Sequence, residues 1–330
     1  MTIGHTAGKW GAVAIAAALL VPSFASAAAL SSAQVSAIVT LLEAFGANGE
    51  TVANVRSALG GLVISSVGAN SSSSLPADPP LFNPVPTDSL YLGGGIGYDI
   101  SFNTKAYPVT PFGFAVIGVT RGRAFVENPR LASEFSWSHF SSTVRPTVYM
   151  NINAPYGSTV AGNIGSPRSC PGVTAASGAV AAANGEPSAC EGYNYGYNAA
   201  KHAYAYAAQS NAASPLWWLD VEEANSWSED IAVNDAAIQG AIDYLNAQGV
   251  HVGIYSVRYM WQNIAGADFA PTQTINGRKT PTPTWFPIGI ASQVEAINAC
   301  RTKASFIAGS PVWIIQYEAS STAVDQNIAC

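Results

Sequence analysis

Asp220 and Glu222 stand one residue apart in Trp217-Trp218-Leu219-Asp220-Val221-Glu222-Glu223, a run with an apolar front half and three carboxylates in its back half. Alternation along a strand places residues i and i+2 on one face, so these two acids project together while Val221 and Glu223 point the other way. Two carboxyls held close cannot both ionise easily, and one keeps its proton near neutral pH. A proton donor beside a charged neighbour is the arrangement that hydrolysis of a glycosidic bond requires. The rival is a pair of structural acids neutralised by cations. The chain has only 14 Lys and Arg, and none lies between Pro215 and Asp230.

Other chemistries lack their residues. His202 and His251 do not accompany a nucleophile motif, since Ile254-Tyr255-Ser256-Val257-Arg258 is not G-x-S-x-G. There is no H-E-x-x-H, so no metal site is expected and no cofactor. Gly93-Gly94-Gly95 precedes an apolar run instead of following it, which is the wrong order for a dinucleotide fingerprint.

The elements that must hold these acids are legible from Tyr91 onward. Strands are expected at 96–101, 114–120, 147–153, 216–222, 251–256, 285–290 and 312–317, with 305–308 as an eighth. Helices are expected at 193–209, 233–247 and 292–300. This alternation predicts an α/β fold, a (β/α) TIM-type barrel with an irregular ring, over residues 91–330; a doubly wound open sheet is the alternative. Barrel chemistry sits at the C-terminal ends of the strands, where Asp99, Asp220 and Glu222 fall.

Composition bounds the partners. Charged residues make up 10% of the 330-residue chain, and the net charge is −6. That excludes nucleic acid, whose phosphates need clustered Lys and Arg. Residues 1–27 read as a signal peptide: Trp10–Leu20 is apolar but too short to span a bilayer, and Ala25-Ser26-Ala27 is a cleavage site. The expectation is a secreted, cell-wall-associated protein with no integral membrane segment after cleavage. The four cysteines fit export. Of the three possible pairings, Cys170–Cys190 and Cys300–Cys330 are preferred, the first closing a loop and the second tying down the C-terminus. Zinc is the rival, but no C-x-x-C is present. Residues 28–62 carry apolar side chains at helical spacing on both sides of Gly46-Ala47-Asn48-Gly49, a helical hairpin. It reads equally as a wall-binding module or a packing appendage, and its turn lacks the carboxylates of a calcium loop. Residues 63–90 are a Ser/Pro-rich linker.

From about Gly95 to Cys330 the chain resembles the family 25 glycoside hydrolases, lysozymes that cut peptidoglycan, and is most similar to a branch of secreted bacterial domains with that barrel. Gly97-Tyr98-Asp99-Ile100-Ser101, Leu219-Asp220-Val221-Glu222, Val252-Gly253-Ile254-Tyr255-Ser256 and Val312–Tyr317 with the trailing Val324-Asp325-Gln326-Asn327 carry the resemblance. It implies that Glu222 is the general acid and that Asp220 steadies the neighbouring charge or orients an N-acetyl group. It also implies that Asp99 tunes their pKa values and that Asp325 is the fourth acid of the cleft. The sequence departs from the family at Val119-Thr120-Arg121-Gly122-Arg123, where Arg121 replaces an acid, and at the third strand, which ends in Asn151 and Asn153. Those amides can bond sugar hydroxyls, and Trp227, Tyr255, Trp285 and Tyr317 fall where sugar rings could stack. The expected partner is peptidoglycan or another polysaccharide. The competing reading is a non-catalytic wall-binding protein that keeps the barrel, and a groove filled by residues 154–192 would favour it.

Overall fold

The computed structural model describes residues 89–142, 144–156, 164–171, 187–320 and 324–330. The expected signal peptide, helical hairpin and nearly all of the linker lie outside the described residues. Eight strands close a barrel in the order β1 (Ile96–Ile100), β10 (Gln326–Ala329), β9 (Val312–Glu318), β8 (Thr284–Ile290), β5 (His251–Tyr255), β4 (Leu216–Asp220), β3 (Thr147–Asn151) and β2 (Phe114–Gly118). Seven of them are parallel, and β10 runs antiparallel to both neighbours. The helices are α1 (Leu131–Ser141), α2 (Ala189–Gln209), α3 (Ile231–Ala247), α4 (Arg258–Ala265) and α5 (Gln293–Thr302). Among the described residues no helix separates β1 from β2 or β9 from β10, so the ring is a mixed barrel and not a regular (β/α) repeat.

The seven expected strands are all present. The proposed eighth at 305–308 is not one: those residues form a turn. The ring is closed instead by β10, which pairs with Ile96, Gly97 and Tyr98 on one side and with Ile314 to Tyr317 on the other. A hairpin of β6 (Thr272–Ile275) and β7 (Arg278–Pro281) lies outside the barrel. Its turn, Asn276-Gly277, has φ of 51° and 75°, the paired positive values that an Asn-Gly turn supplies.

Alternation explains the two adjacent tryptophans. Trp217 points outward into the helix-facing core, where Tyr204 lies 5.8 Å away, centroid to centroid. Trp218 points into the barrel with Phe114, Trp285 and Tyr91. Gly253 sits beside it on β5, where an added Cβ would come within 2.3 Å of the Trp218 ring. The ring therefore fills a space that a side chain at 253 would take. The polar edges at this level are satisfied: Trp218 Nε1 donates to Tyr91 Oη at 3.0 Å, and Tyr91 Oη shares a 2.7 Å bond with Thr147 Oγ1. The base of the barrel is thus a closed aromatic plug.

Outside the ring, α2 starts at Ala189, four residues before the expected start, because Ser188 and Glu191 form a capping box. Asp230 caps α3 through Ala232 N. The two helices meet where Gly192, Gly196 and Gly240 leave no side chain; a Cβ at Gly196 would fall 1.8 Å from the Ala237 carbonyl oxygen. Both preferred disulfides are present, Cys170–Cys190 and Cys300–Cys330. The second joins α5 to the residue that follows β10.

Candidate active site

The strand register assembles the site at the C-terminal mouth. Asn151 of β3 is the partner of Asp220, Asp220 is the partner of Tyr255, and Tyr255 is the partner of Trp285. Register partners in a parallel pair point the same way, so these four side chains form one row around the inner wall. Glu222 follows two residues after Asp220 and reaches the same space. Asp220, Glu222, Tyr255 and Trp285, together with Asp99, Asp325, Tyr149 and Gln316, line a pocket of about 590 Å³. Among the described residues of 154–192, none lines this pocket. A larger groove of about 960 Å³ opens at the other end of the barrel, beside Cys300–Cys330. Arg301 is the one charged side chain among the described residues lining it, so it offers no acid/base pair.

Each acid is held differently. Asp220 is 7% exposed; Asn151 Nδ2 donates to its Oδ2 at 2.5 Å. Thr120 fixes that amide: its hydroxyl donates to Asn151 Oδ1 and accepts from Asn151 N, both at 2.8 Å. Asp220 Oδ1 is buried and meets no N–H or O–H donor. A buried oxygen without a partner is costly, and a proton shared with Glu222 removes the cost. Burial first, then the charges of Glu222 and Asp99, push the Asp220 carboxyl well above the usual carboxylate range. Burial also raises Glu222; the hydrogen bond from Asp220 opposes it, and the charge of Asp325 adds to it. The pair therefore retains a proton that the two carboxyls share, and Glu222 faces the cleft.

Asp99 keeps a partly exposed edge on the pocket floor. Its Oδ1 accepts from Asn327 Nδ2 at 2.7 Å and from Gln316 Nε2 at 3.0 Å. Burial, and next the charge of Asp325, push this carboxyl up to about 7 against those bonds. The two amides are themselves anchored, Asn327 Oδ1 by Trp285 Nε1 at 2.8 Å and Gln316 Oε1 by Tyr255 Oη at 2.9 Å. The aromatic residues of the mouth thus orient the amides that hold the acid. Burial and then Glu318 raise Asp325.

Of the residues singled out from the sequence, Asp99, Asp220, Glu222, Asp325, Tyr255 and Trp285 come together at this pocket. Asn151 stands just beneath it, bound to Asp220. Four expectations need correction as pocket residues. Tyr317 is 2% exposed and faces α5, because Gln316 takes the inward position and parity turns its neighbour out. Trp227 packs on Ala154, Val233 and Ala237, and its Nε1 bonds the Glu222 carbonyl at 2.8 Å, so it braces the backbone behind the acid. Arg121 lies 5.4 Å from the Phe102 ring, away from the acids. Asn153 accepts from Tyr195 Oη at 2.9 Å and does not line the pocket. Tyr149, Gln316, Asn327 and Lys105 were not anticipated. Gln316 carried a readable signal, a lone amide inside the apolar run Val312–Tyr317; Tyr149 carried another, the parity it shares with Asn151.

The described residues hold no group of three or more His, Cys, Asp or Glu that could bind a metal, and no helix among them is long and apolar enough to cross a membrane.

Comparison with known proteins points the same way. The family model described as "Lysozyme-like protein 1" matches residues 186–276, the stretch that contains β4, Asp220 and Glu222. "Lysozyme-like protein 5" of Caenorhabditis elegans is 46% identical over 52 residues, covering 16% of this chain and 24% of that protein. "Probable GH family 25 lysozyme 4" of Dictyostelium discoideum is 36% identical over 61 residues, covering 18% and 28% respectively. The chain thus spans about a quarter of the length of the curated relatives it matches. The crystal structure of the modular Cpl-1 endolysin in complex with a peptidoglycan analogue aligns at a TM-score of 0.39 and 14% identity, covering 72% of this chain and 54% of that one. The stretch 186–276, which carries Asp220 and Glu222 to the mouth of the described barrel, is thus similar to lysozyme-like proteins and to a family 25 lysozyme.

Proposed function

We propose that this chain is a secreted glycosidase that hydrolyses peptidoglycan, in the manner of a muramidase, or a related amino-sugar polymer. The observation that carries this reading is the Asp220–Glu222 pair, two carboxyls at one pocket that hold a proton between them. Glu222 is half-buried and faces the cleft, so it is the group that can touch a glycosidic oxygen and protonate the leaving sugar. Asp220, fixed by Asn151, shares the proton with Glu222. As Glu222 gives its proton to the leaving oxygen, the shared proton ends on that oxygen and the pair is left ionised until water returns a proton. Asp99 and Asp325 keep both pKa values high by their own negative charge. Tyr149 and Tyr255, backed by the buried Trp285, give the pocket an aromatic wall for a sugar ring. The printed names of the similar proteins, lysozyme and endolysin, agree with this substrate class.

The test is purified peptidoglycan incubated with the protein and with Glu222→Gln, followed by mass spectrometry of the soluble products. Muropeptides with new reducing ends from the native protein alone support the reading. Sedimentation of both proteins with the wall, with no release by either, replaces it with the non-catalytic wall-binding alternative.

A further inference from the structure

One side chain at the mouth has the opposite charge. Among the described residues that line the acid pocket, Lys105 is the single cation, in a lining that also includes Asp99, Asp220, Glu222 and Asp325. An ammonium near four carboxylates would ordinarily pair with one. Lys105 is exposed, and the ion pairs of the described residues, Arg130–Glu134 and His202–Glu127, do not include it.

The backbone that carries it is nevertheless fixed. The segment linking β1 to β2 is hung from the start of α1: Arg130 Nη1 donates to the carbonyl oxygens of Thr104 at 2.7 Å and Phe102 at 3.2 Å, and Nη2 donates to Tyr107 Oη at 2.9 Å. Arg130 is held in turn by Glu134, a fully buried acid that also accepts from Asn128 at 2.8 Å. The guanidinium thus clamps the chain on both sides of Lys105. A fixed wall carrying one unpaired cation costs less entropy to use in binding than a loose loop does.

We propose that Lys105 is a specificity-determining residue that binds a carboxylate borne by the glycan, with Arg130 as the residue that positions it. This rests on the glycosidase reading above. The electrostatic reason is direct: an acidic sugar entering a pocket of carboxylates is repelled unless a cation meets its own charge at the wall. Peptidoglycan offers two sources of such a carboxylate, the lactyl group of an unsubstituted muramic acid and the free carboxyls of a peptide stem.

The experiment measures binding, so it does not depend on turnover. Full-length Glu222→Gln is titrated calorimetrically with a tetrasaccharide of alternating N-acetylglucosamine and N-acetylmuramic acid, with its lactyl methyl ester, and with the same glycan bearing peptide stems. The expected result is that a carboxylate-bearing ligand binds roughly 5-fold tighter than the ester, as about 1 kcal/mol for an ion pair at a partly exposed site implies. Adding Lys105→Met brings the ligands to equal affinity, and Lys105→Arg restores the difference. Preference for the free lactyl acid assigns the carboxylate to the sugar; preference confined to the stem-bearing glycan assigns it to the stem. Equal binding of all three by Glu222→Gln, or a preference that survives Lys105→Met, overturns the role of Lys105 and leaves the glycosidase reading standing. Failure to bind any of the three removes both.

Discussion

The two ends of the barrel interior are built on opposite principles. At the base, Tyr91, Phe114 and Trp218 fill the ring, and the polar edges of Tyr91 and Trp218 are bonded. At the mouth, four acids share one pocket; burial raises each of them, and the charge of a neighbouring acid adds to it, Glu318 in the case of Asp325. The base stabilises the fold, whereas the mouth spends some of that stability on proton chemistry. A barrel can afford such a mouth because its base is closed.

Substitutions at each end test this contrast. Trp218→Ala empties the base and is expected to cost about 3–5 kcal/mol, read from urea denaturation. Glu222→Gln leaves the fold intact and lowers kcat on peptidoglycan by roughly 10²–10⁴-fold, the usual contribution of a positioned proton donor. Tyr91→Phe strips Trp218 Nε1 and Thr147 of their shared partner and costs about 1–3 kcal/mol, again by denaturation. If Tyr91→Phe is neutral, the base is not the rigid half.

Asp99→Asn moves in the other direction. The Asp99 carboxyl titrates near 7 in the folded protein and near 4 in the unfolded chain. The folded state therefore binds the extra proton across that window, and stability falls as pH rises through it. Asp99→Asn removes the penalty, so thermal melts should coincide with the native protein at pH 4 and lie a few degrees higher at pH 8. The same substitution removes a negative charge that raises Asp220. The alkaline limb of kcat/KM, where the pair loses its proton, should shift to lower pH. A limb that stays in place would uncouple Asp99 from the pair.

Sequence reading succeeded where one local rule decided the outcome. Parity alone placed Asp220 and Glu222 together and sent Glu223 outward, where it accepts a hydrogen bond from Asn263 at 2.6 Å. Parity also misdirected where it was not applied: Tyr317 looked like a cleft aromatic until Gln316 is seen to take the inward position. Two of the missed elements had weak local signals, unlike the β6–β7 hairpin, whose Asn276-Gly277 turn was readable and passed over. α1, Leu-Ala-Ser-Glu-Phe-Ser-Trp-Ser-His-Phe-Ser, scatters its apolar residues among serines and shows no clear face. β10 is only four residues, Gln-Asn-Ile-Ala, and its strand character comes from pairing with β9 just before it and with β1 at the far end of the barrel sequence. The Arg130 clamp was invisible for a related reason, since its acceptors are backbone oxygens that a sequence does not distinguish.

The antiparallel β10 also sets an order of assembly. It sits between β1 and β9 in space but follows every other barrel strand along the chain. During synthesis, β1 must wait with one edge open until β10 emerges. Asp99 waits with it, since Asn327, one of its two amide partners, arrives on that strand. The ring and the carboxylate floor are therefore completed in the same late event, and a chain halted before residue 326 has neither.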